Sequence, residues 1–239
     1  MAIWGVMTAL GNARWPDLRA DRATLLVPLG SCEQHGLHLP LATDTAIAHA
    51  VANGVAATRA SIWVAPPLTY GASGEHAGFP GTLSIGTEVL TMVLVELVRS
   101  ADWAQRVILV NGHGGNIDGV RRAEAILRAE GRAVEVWFPT IEGGDAHAGR
   151  TETSLMLALS PPLPSGGAVQ TEGPTTVRME LAEAGTTAPL RSLLSALRAG
   201  GVRAVSANGV LGDPTGATAD EGHHLLAALV ASLGALVDH

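Results

Sequence analysis

The chain of 239 residues contains no lysine; all 15 of its basic residues are arginines. That absence removes Schiff-base chemistry, anchoring of pyridoxal phosphate and the lysine of a phosphate-cradling loop from the range of functions. Cysteine is nearly as scarce. Cys32 stands alone, so no internal disulfide can form and nothing argues for an oxidising compartment. Positive charge is in deficit: 15 basic against 22 acidic residues leave a net charge of -7, which on average repels a polyanion. Nucleic acid is therefore excluded as the expected partner. Long apolar runs are missing as well. The longest, Leu225 to Val237, is well short of the roughly 20 residues that cross a bilayer. No basic residue precedes Arg14 to make a charged leader for the apolar stretch Ile3 to Leu10. These absences predict a cytoplasmic protein with no membrane partner.

What is present suits one globular domain spanning residues 1–239, with 47% hydrophobic residues and only 13 prolines. Four short segments are β-branched and almost continuously apolar: Thr24 to Gly30, Ser61 to Pro67, Arg106 to Gly112 and Ala133 to Pro139. Such runs are expected of parallel strands buried on both faces. Asp44 to Thr58 and Asn116 to Gly131 carry helical spacing between them, and Leu90, Val93, Leu94, Leu97 and Val98 form one stripe. Asp44 or Thr45 is placed to cap the first helix, and Gly131 to end the helix it follows. Thr151 to Ser160 reads as a helix stopped by Pro161 and Pro162, Pro162 to Pro174 as turn-rich, and Asp220 to Val237 as the last helix. The pattern predicts a three-layer α/β sandwich, its mostly parallel central sheet flanked by helices.

In such sheets ligands sit beyond the carboxyl ends of the strands, and the polar residues of interest fall there. "GSCEQHGLHLPLATD" follows the first strand and holds Glu33, His35, His38 and Asp44. In extended backbone the spacing of Glu33 and His35 turns both to one side. His113 follows the third strand in "NGHGGN", and "DAHAGRTETS" after the fourth supplies Asp145, His147 and Glu152. Two imidazoles and three carboxylates converging from separate loops point to metal, because uncompensated buried carboxylates repel each other and lose hydration. Asp44 could bridge two divalent ions, leaving Glu33 and His113 for one and His35 and Glu152 for the other. Oxygen and nitrogen ligation without thiolate suits zinc, manganese or iron. A water shared by two such ions is a nucleophile at neutral pH, so hydrolysis is the chemistry this set predicts.

"GSCEQHGLHLPLATD", "NGHGGN" and "HAGRTETS" resemble the signature segments of the creatininase, or creatinine amidohydrolase, family. "YGASGEHAGFPGTLSIGTE", "GDAHAG" and "GVLGDPTGATADEG" are similar to a branch of that family that processes a small ribosomal peptide. The likeness runs through most of Leu25 to Gly222. By position it implies a creatininase-like fold and metal binding by Glu33, His35, Asp44, His113 and Glu152. It implies catalytic roles for His147, as the proton-transfer group, and for Glu152. Two divalent ions per subunit and a homo-oligomer, commonly a hexamer, are implied too. The expected substrate is a modified precursor peptide, from which a C-terminal Val-Tyr unit is released.

Two departures bear on this. Creatininase proper is similar to "GHxEN" where this chain has Gly115, so Glu152 is expected to complete the second ion's shell. It also carries a tryptophan at the place of Gly144, whose loss would open the pocket to something bulkier than creatinine. Cys32 beside His35 permits a cysteine-hydrolase reading, but His35 is wanted by metal. His38 and His76 are read either as support for the ligands or as ordinary loop residues, Glu75 and Phe79 as substrate contacts or structural loop, and His223 and His224 as solvent-facing. Asp145 is read as orienting His147. Two other functions stay open: a family amidohydrolase acting on a small cyclic amide or formamide, and a catalytically silent assembly protein.

Overall fold

Among the described residues four strands form one parallel sheet in the order β2-β1-β3-β4: β1 Thr24–Leu29, β2 Ile62–Val64, β3 Arg106–Asn111 and β4 Val134–Trp137. The structure is a computed structural model that describes residues 8–18, 23–160 and 175–239. In register, Leu26 lies opposite Val64 on one side and Ile108 on the other, and Leu29 opposite Asn111.

Among the described residues six α-helices accompany the sheet: α1 Thr43–Ala56, α2 Gly86–Ser100, α3 Ile117–Ala129, α4 Arg150–Leu159, α5 Leu190–Gly200 and α6 Ala219–Val237. Side chains alternate across a strand, and the core divides accordingly. Leu26, Ile108 and Val110 pack with Ile47, Val51, Leu155 and Leu229 of α1, α4 and α6. Leu25, Val27, Leu29, Val107 and Leu109 pack with Leu90, Leu94, Val120 and Leu127 of α2 and α3. Both faces are thus covered, which is why the strand segments read as unbroken apolar runs. Among the described residues no helix is long and apolar enough to cross a membrane.

Several local expectations change. Within α2 the buried face is Leu90, Leu94, Val95 and Val98, while Leu97 is exposed; four-residue steps with a neighbour at five define the contact with α3. Asp44 and Thr45 do not cap α1. Its N-cap is Ala42, without a side-chain hydrogen bond, and both side chains turn inward, Thr45 Oγ1 donating to Ser31 O. Gly131 does take a positive φ, of 77°. α5 is absent from the predicted elements although Leu190, Leu193, Leu194 and Leu197 carry helical spacing. The turn-rich stretch from Pro162 to Pro174 lies outside the described residues.

One packing detail positions the site. A Cβ on Gly112 would lie 2.7 Å from Asp44 O, and one on Gly30 2.5 Å from Thr45 Cα. Glycine at the end of both β1 and β3 therefore lets the first turn of α1 press against the sheet, carrying Asp44 between the loops that leave those strands.

Candidate metal centre

Beyond β1 the chain folds back on itself: Glu33 N donates to Leu41 O at 3.1 Å, and His35 bridges to Leu39 around Gly36, whose φ is 65°. This narrow hairpin sends Glu33 and His35 inward, both with 0% of their surface exposed. Asp44 arrives from α1, His113 from the turn after β3, and His147 and Glu152 from the segment that enters α4.

The structure brings these residues together as overlapping groups. Glu33, Asp44 and His113 offer ligand atoms all within 4.8 Å of one another, and so do His35, Asp44 and Glu152, and Glu33, His35 and His147. The two oxygens of Asp44 face different partners. Oδ1 lies 3.1 Å from His35 Nε2, and Oδ2 3.2 Å from His113 Nδ1 and 2.6 Å from Ser31 Oγ, which donates to it. Donors bound at about 2.0–2.2 Å in tetrahedral array stand about 3.3 Å apart, which matches these separations. Both oxygens of Glu33 are buried and make no well-aligned hydrogen bond; they face imidazole nitrogens, His113 Nε2 3.1 Å from Oε2 and His76 Nε2 3.3 Å from Oε1, and a buried carboxylate so placed is costly unless a cation faces it. His35 Nδ1 lies 3.1 Å from Glu33 O; a proton donated there leaves Nε2 bare toward Asp44, the arrangement that prepares a metal-ligating imidazole. The residues present therefore fit divalent ions.

The protonation pattern agrees. Burial would lower His35, but Asp44, hydrogen-bonded to it, and then Glu152 and Glu33 hold it up to about 10. Burial likewise opposes His113, which the Asp44 hydrogen bond and charge raise to about 9. Asp44 is held well below the usual carboxylate range, its burial outweighed by His35 and by hydrogen bonds from His113 and His35. Glu33 is pushed up to about 7 by burial and by Asp44. Glu152 is pushed the same way, to about 7, chiefly by burial, although its side chain keeps 23% of its surface exposed. Without cations, protons on the imidazoles do their work. A divalent ion must displace them, so affinity for Zn²⁺ or Mn²⁺ should rise with pH, about tenfold per unit for each proton released. Competition with a chromophoric chelator between about pH 6 and about pH 8, below both raised imidazole values, measures this. Affinity flat in pH would mean that His35 and His113 are not ligands.

A second layer of polar groups holds the first. Gln34 Nε2 lies 2.8 Å from His76 Nδ1 and 3.1 Å from Gly209 O, and His147 Nε2 lies 2.8 Å from Gln34 O. Gln34 Nε2 also lies 3.0 Å from His147 Nε2; with its two amide protons on His76 Nδ1 and Gly209 O, and the His147 proton on Nε2 directed to Gln34 O, the other three contacts are hydrogen bonds. His147 Nδ1 is then bare, 3.7 Å from Glu33 Oε1, and His76 Nε2 lies 3.3 Å from the same oxygen. Reciprocal backbone bonds to Leu211 hold His147 in place. Burial, and then the charges of His35 and His76, keep its imidazole well below the usual range. His38 Nε2 bonds Thr153 Oγ1 at 2.8 Å, tying the hairpin to the turn of α4 that carries Glu152. Ala148, at φ 51°, aims its N–H at Glu152 Oε2, 2.6 Å away, a conformation uncommon for a residue with a Cβ and typical of strained functional turns.

Gln34, Ser31 and Ser73, whose Oγ lies 3.3 Å from His113 Nε2, take part without having been predicted. Gln34 and Ser31 lie in the same loop as Glu33, which is the signal that points to them. His76, from the loop after β2, joins as support, whereas Asp145 does not orient His147: its carboxylate accepts from the backbone of Arg150 and Thr151 at the start of α4. Glu75 reaches the site as well, its Oε1 3.5 Å from His113 Nε2. A Cβ on Gly115 would collide with that same Oε1 and with Ala72 O, and lie 2.5 Å from His113 Nε2. The acid of the β2 loop thus stands where a side chain at 115 would begin. Cys32 Sγ lies 3.6 Å from Gly81 O, and His223 and His224 are exposed on α6.

Comparison with known proteins adds to this geometry. The family model described as Creatininase: Creatinine amidohydrolase matches residues 11–237. The mycofactocin precursor peptide peptidase of Mycobacterium tuberculosis is 51% identical over 236 residues, covering 94% of this chain and 88% of that protein. Among solved structures, one titled Creatininase Mn superposes with a TM-score of 0.73 at 26% identity, over 96% of this chain and 97% of that one. A creatininase variant of Zn-Zn type gives 0.72 at 25% identity, over 96% of each chain.

Proposed function

The chain belongs to the creatininase family, and from that premise we propose that it is a metal-dependent hydrolase releasing a modified C-terminal Val-Tyr unit from a small ribosomal precursor peptide. It is a hydrolase acting on C–N bonds. The observation that carries the metal-dependent reading is the sharing of Asp44 between the Glu33–His113 and His35–Glu152 groups, with the Glu33 oxygens buried and making no well-aligned hydrogen bond. The peptide as substrate is supported by the 51% identity to the peptidase just described.

Two divalent ions, zinc, manganese or iron, would be held by Glu33, His35, Asp44, His113 and Glu152. Bound there, they would supply a water acidic enough to attack an amide at neutral pH. Ser31 fixes one Asp44 oxygen, Gln34 and the Glu33 carbonyl fix the imidazole rings, and the buried walls limit the entry of competing water. His147 stays neutral, with Nδ1 facing the cluster, so that atom accepts a proton as attack begins and returns it to the leaving amine. A homo-oligomer, commonly a hexamer, belongs to the same reading; α5, which has no buried residue, offers the leucine stripe it would cover.

The test is incubation of purified, metal-loaded protein with the modified precursor peptide and, separately, with creatinine, followed by mass spectrometry. Release of the C-terminal unit from the peptide, with creatinine untouched, is expected. Ring opening of creatinine in place of peptide cleavage would support the small-amide alternative, and silence on both with metal bound would leave an assembly role.

A further inference from the structure

Glu33 belongs to two of the candidate ion groups, one with Asp44 and His113 and one with His35 and His147. It faces them with different oxygens. Oε2 lies 3.1 Å from His113 Nε2, whereas Oε1 lies 3.7 Å from His147 Nδ1. Were Oε1 to bind an ion with the second group, His147 would become a ligand, and the nitrogen needed for proton transfer would be spent. The role of His147 therefore depends on what else faces Oε1, and that is His76 Nε2, 3.3 Å away.

The proton on His76 is placed by Gln34. Two backbone groups settle the orientation of the Gln34 amide: Gly36 N donates to Oε1 at 2.9 Å, and Nε2 donates to Gly209 O at 3.1 Å. Turning the amide over would set its NH2 against the Gly36 N–H and its oxygen against the Gly209 carbonyl, costing both bonds in a buried place. The Gly209 backbone also closes on the amide: a Cβ there, at φ 82°, would fall 1.9 Å from Gln34 Oε1. The second amide proton points at His76 Nδ1, 2.8 Å away. That nitrogen is therefore bare, and the ring carries its proton on Nε2. His76, 4% exposed and with its ring centroid 4.5 Å from that of His147, thus turns an N–H toward Glu33 Oε1.

We propose that Gln34 and His76 are positioning residues: the amide sets the tautomer of His76, and the resulting N–H holds Glu33 Oε1 away from the His35–His147 group. Glu33 then binds an ion through Oε2, and His147 stays unligated. The His76 contact is not an aligned hydrogen bond; the N–H dipole acts on the carboxylate through its field, which a low-dielectric interior strengthens. The inference rests on the metal-dependent reading above and adds to it the choice between two ligand sets.

The experiment has two arms. On metal-free protein with ¹⁵N-labelled histidine, long-range ¹⁵N–¹H correlation reads which nitrogen of His76 holds the proton, and the signals lost in His76→Gln identify that ring. Wild type should show the proton on Nε2. Gln34→Glu, whose carboxylate accepts where the amide donated, should move it to Nδ1. On Zn²⁺-loaded protein, X-ray absorption counts the imidazole ligands. His76→Phe, which keeps a ring and loses the N–H, should gain an imidazole at the ions and lose kcat by about 10–100-fold, with zinc content unchanged. His76→Gln returns an amide N–H near the place of Nε2 and should restore the wild-type imidazole count and most of the rate. Gln34→Glu should act as His76→Phe does, yet cost little in a His76→Gln background, where no ring nitrogen is left to respond. An imidazole count unchanged in His76→Phe overturns the proposal, as does a His76 proton on Nδ1 in wild type. Should wild type bind no zinc, the metal-dependent reading fails and the labelled-histidine arm decides the relay alone: a proton moved by Gln34→Glu supports it, and one that stays on Nε2 overturns it. His76→Leu and Gln34→Met take the place of His76→Phe and Gln34→Glu if those do not fold.

Discussion

Glu33→Gln is expected to leave a folded protein that holds metal poorly and turns over substrate more than about a hundredfold more slowly, beyond the roughly 10–100-fold cost of altering groups behind a ligand. The substitution keeps the shape of a side chain that is completely buried and removes its charge. In the metal-free protein that charge is a burden, since burial and Asp44 push the carboxyl up to about 7. The metal-free melting temperature should therefore be no lower than that of wild type. What disappears is the gain on adding Zn²⁺ or Mn²⁺, because an ion stabilises only through its affinity for the folded state, about 2.7 kcal/mol at a hundred times Kd. Thermal denaturation with and without metal, beside elemental analysis and turnover, separates these effects. Wild-type metal content in the variant would remove Glu33 from the ligand set.

The parts of this site legible in the sequence are those where one residue type announces one environment. Uninterrupted apolar segments such as Val107 to Val110 identify strands covered on both faces, and acids and imidazoles soon after them stand out because water is scarce there. Asp44 shows the limit of that logic. An aspartate at the start of a helix is an N-cap by propensity, yet here the glycines at 30 and 112 let α1 sit so close to the sheet that the side chain turns into the cluster instead. Tertiary approach outweighs a cap worth about 1 kcal/mol. Gln34 is harder still. A neutral amide carries no charge pattern, and its importance arises from three loops, those of His76, His147 and Gly209, that meet only in the folded chain. Glu75 and Gly115 are legible only as a pair, since neither residue alone indicates that one fills the space the other vacates. α5 differs again: its leucine spacing is plain, but with no buried residue in the chain its register has nothing in the core to be read against.

His147→Ala should retain metal and substrate affinity while kcat falls by about 10² to 10⁴, the usual range for loss of a positioned proton-transfer group. The argument begins from the ring's anchoring. Nε2 is committed to the Gln34 carbonyl at 2.8 Å, and backbone bonds to Leu211 fix the residue from both sides, so Nδ1 is the atom free for chemistry, 3.7 Å from Glu33 Oε1. The alternative is that the same nitrogen ligates an ion, because Glu33, His35 and His147 also cluster within ligand range. The two roles part in the readouts. A proton-transfer group alters kcat and the acid limb of the pH profile while metal content holds; a ligand takes metal content down with it. Burial and the charges of His35 and His76 hold this imidazole well below the ordinary range, so the wild-type acid limb should lie below the pKa of a free histidine, and the variant should lose that limb. Metal depletion in His147→Ala would instead reassign the residue to the ligand shell, and unchanged kcat would remove it from the chemistry altogether.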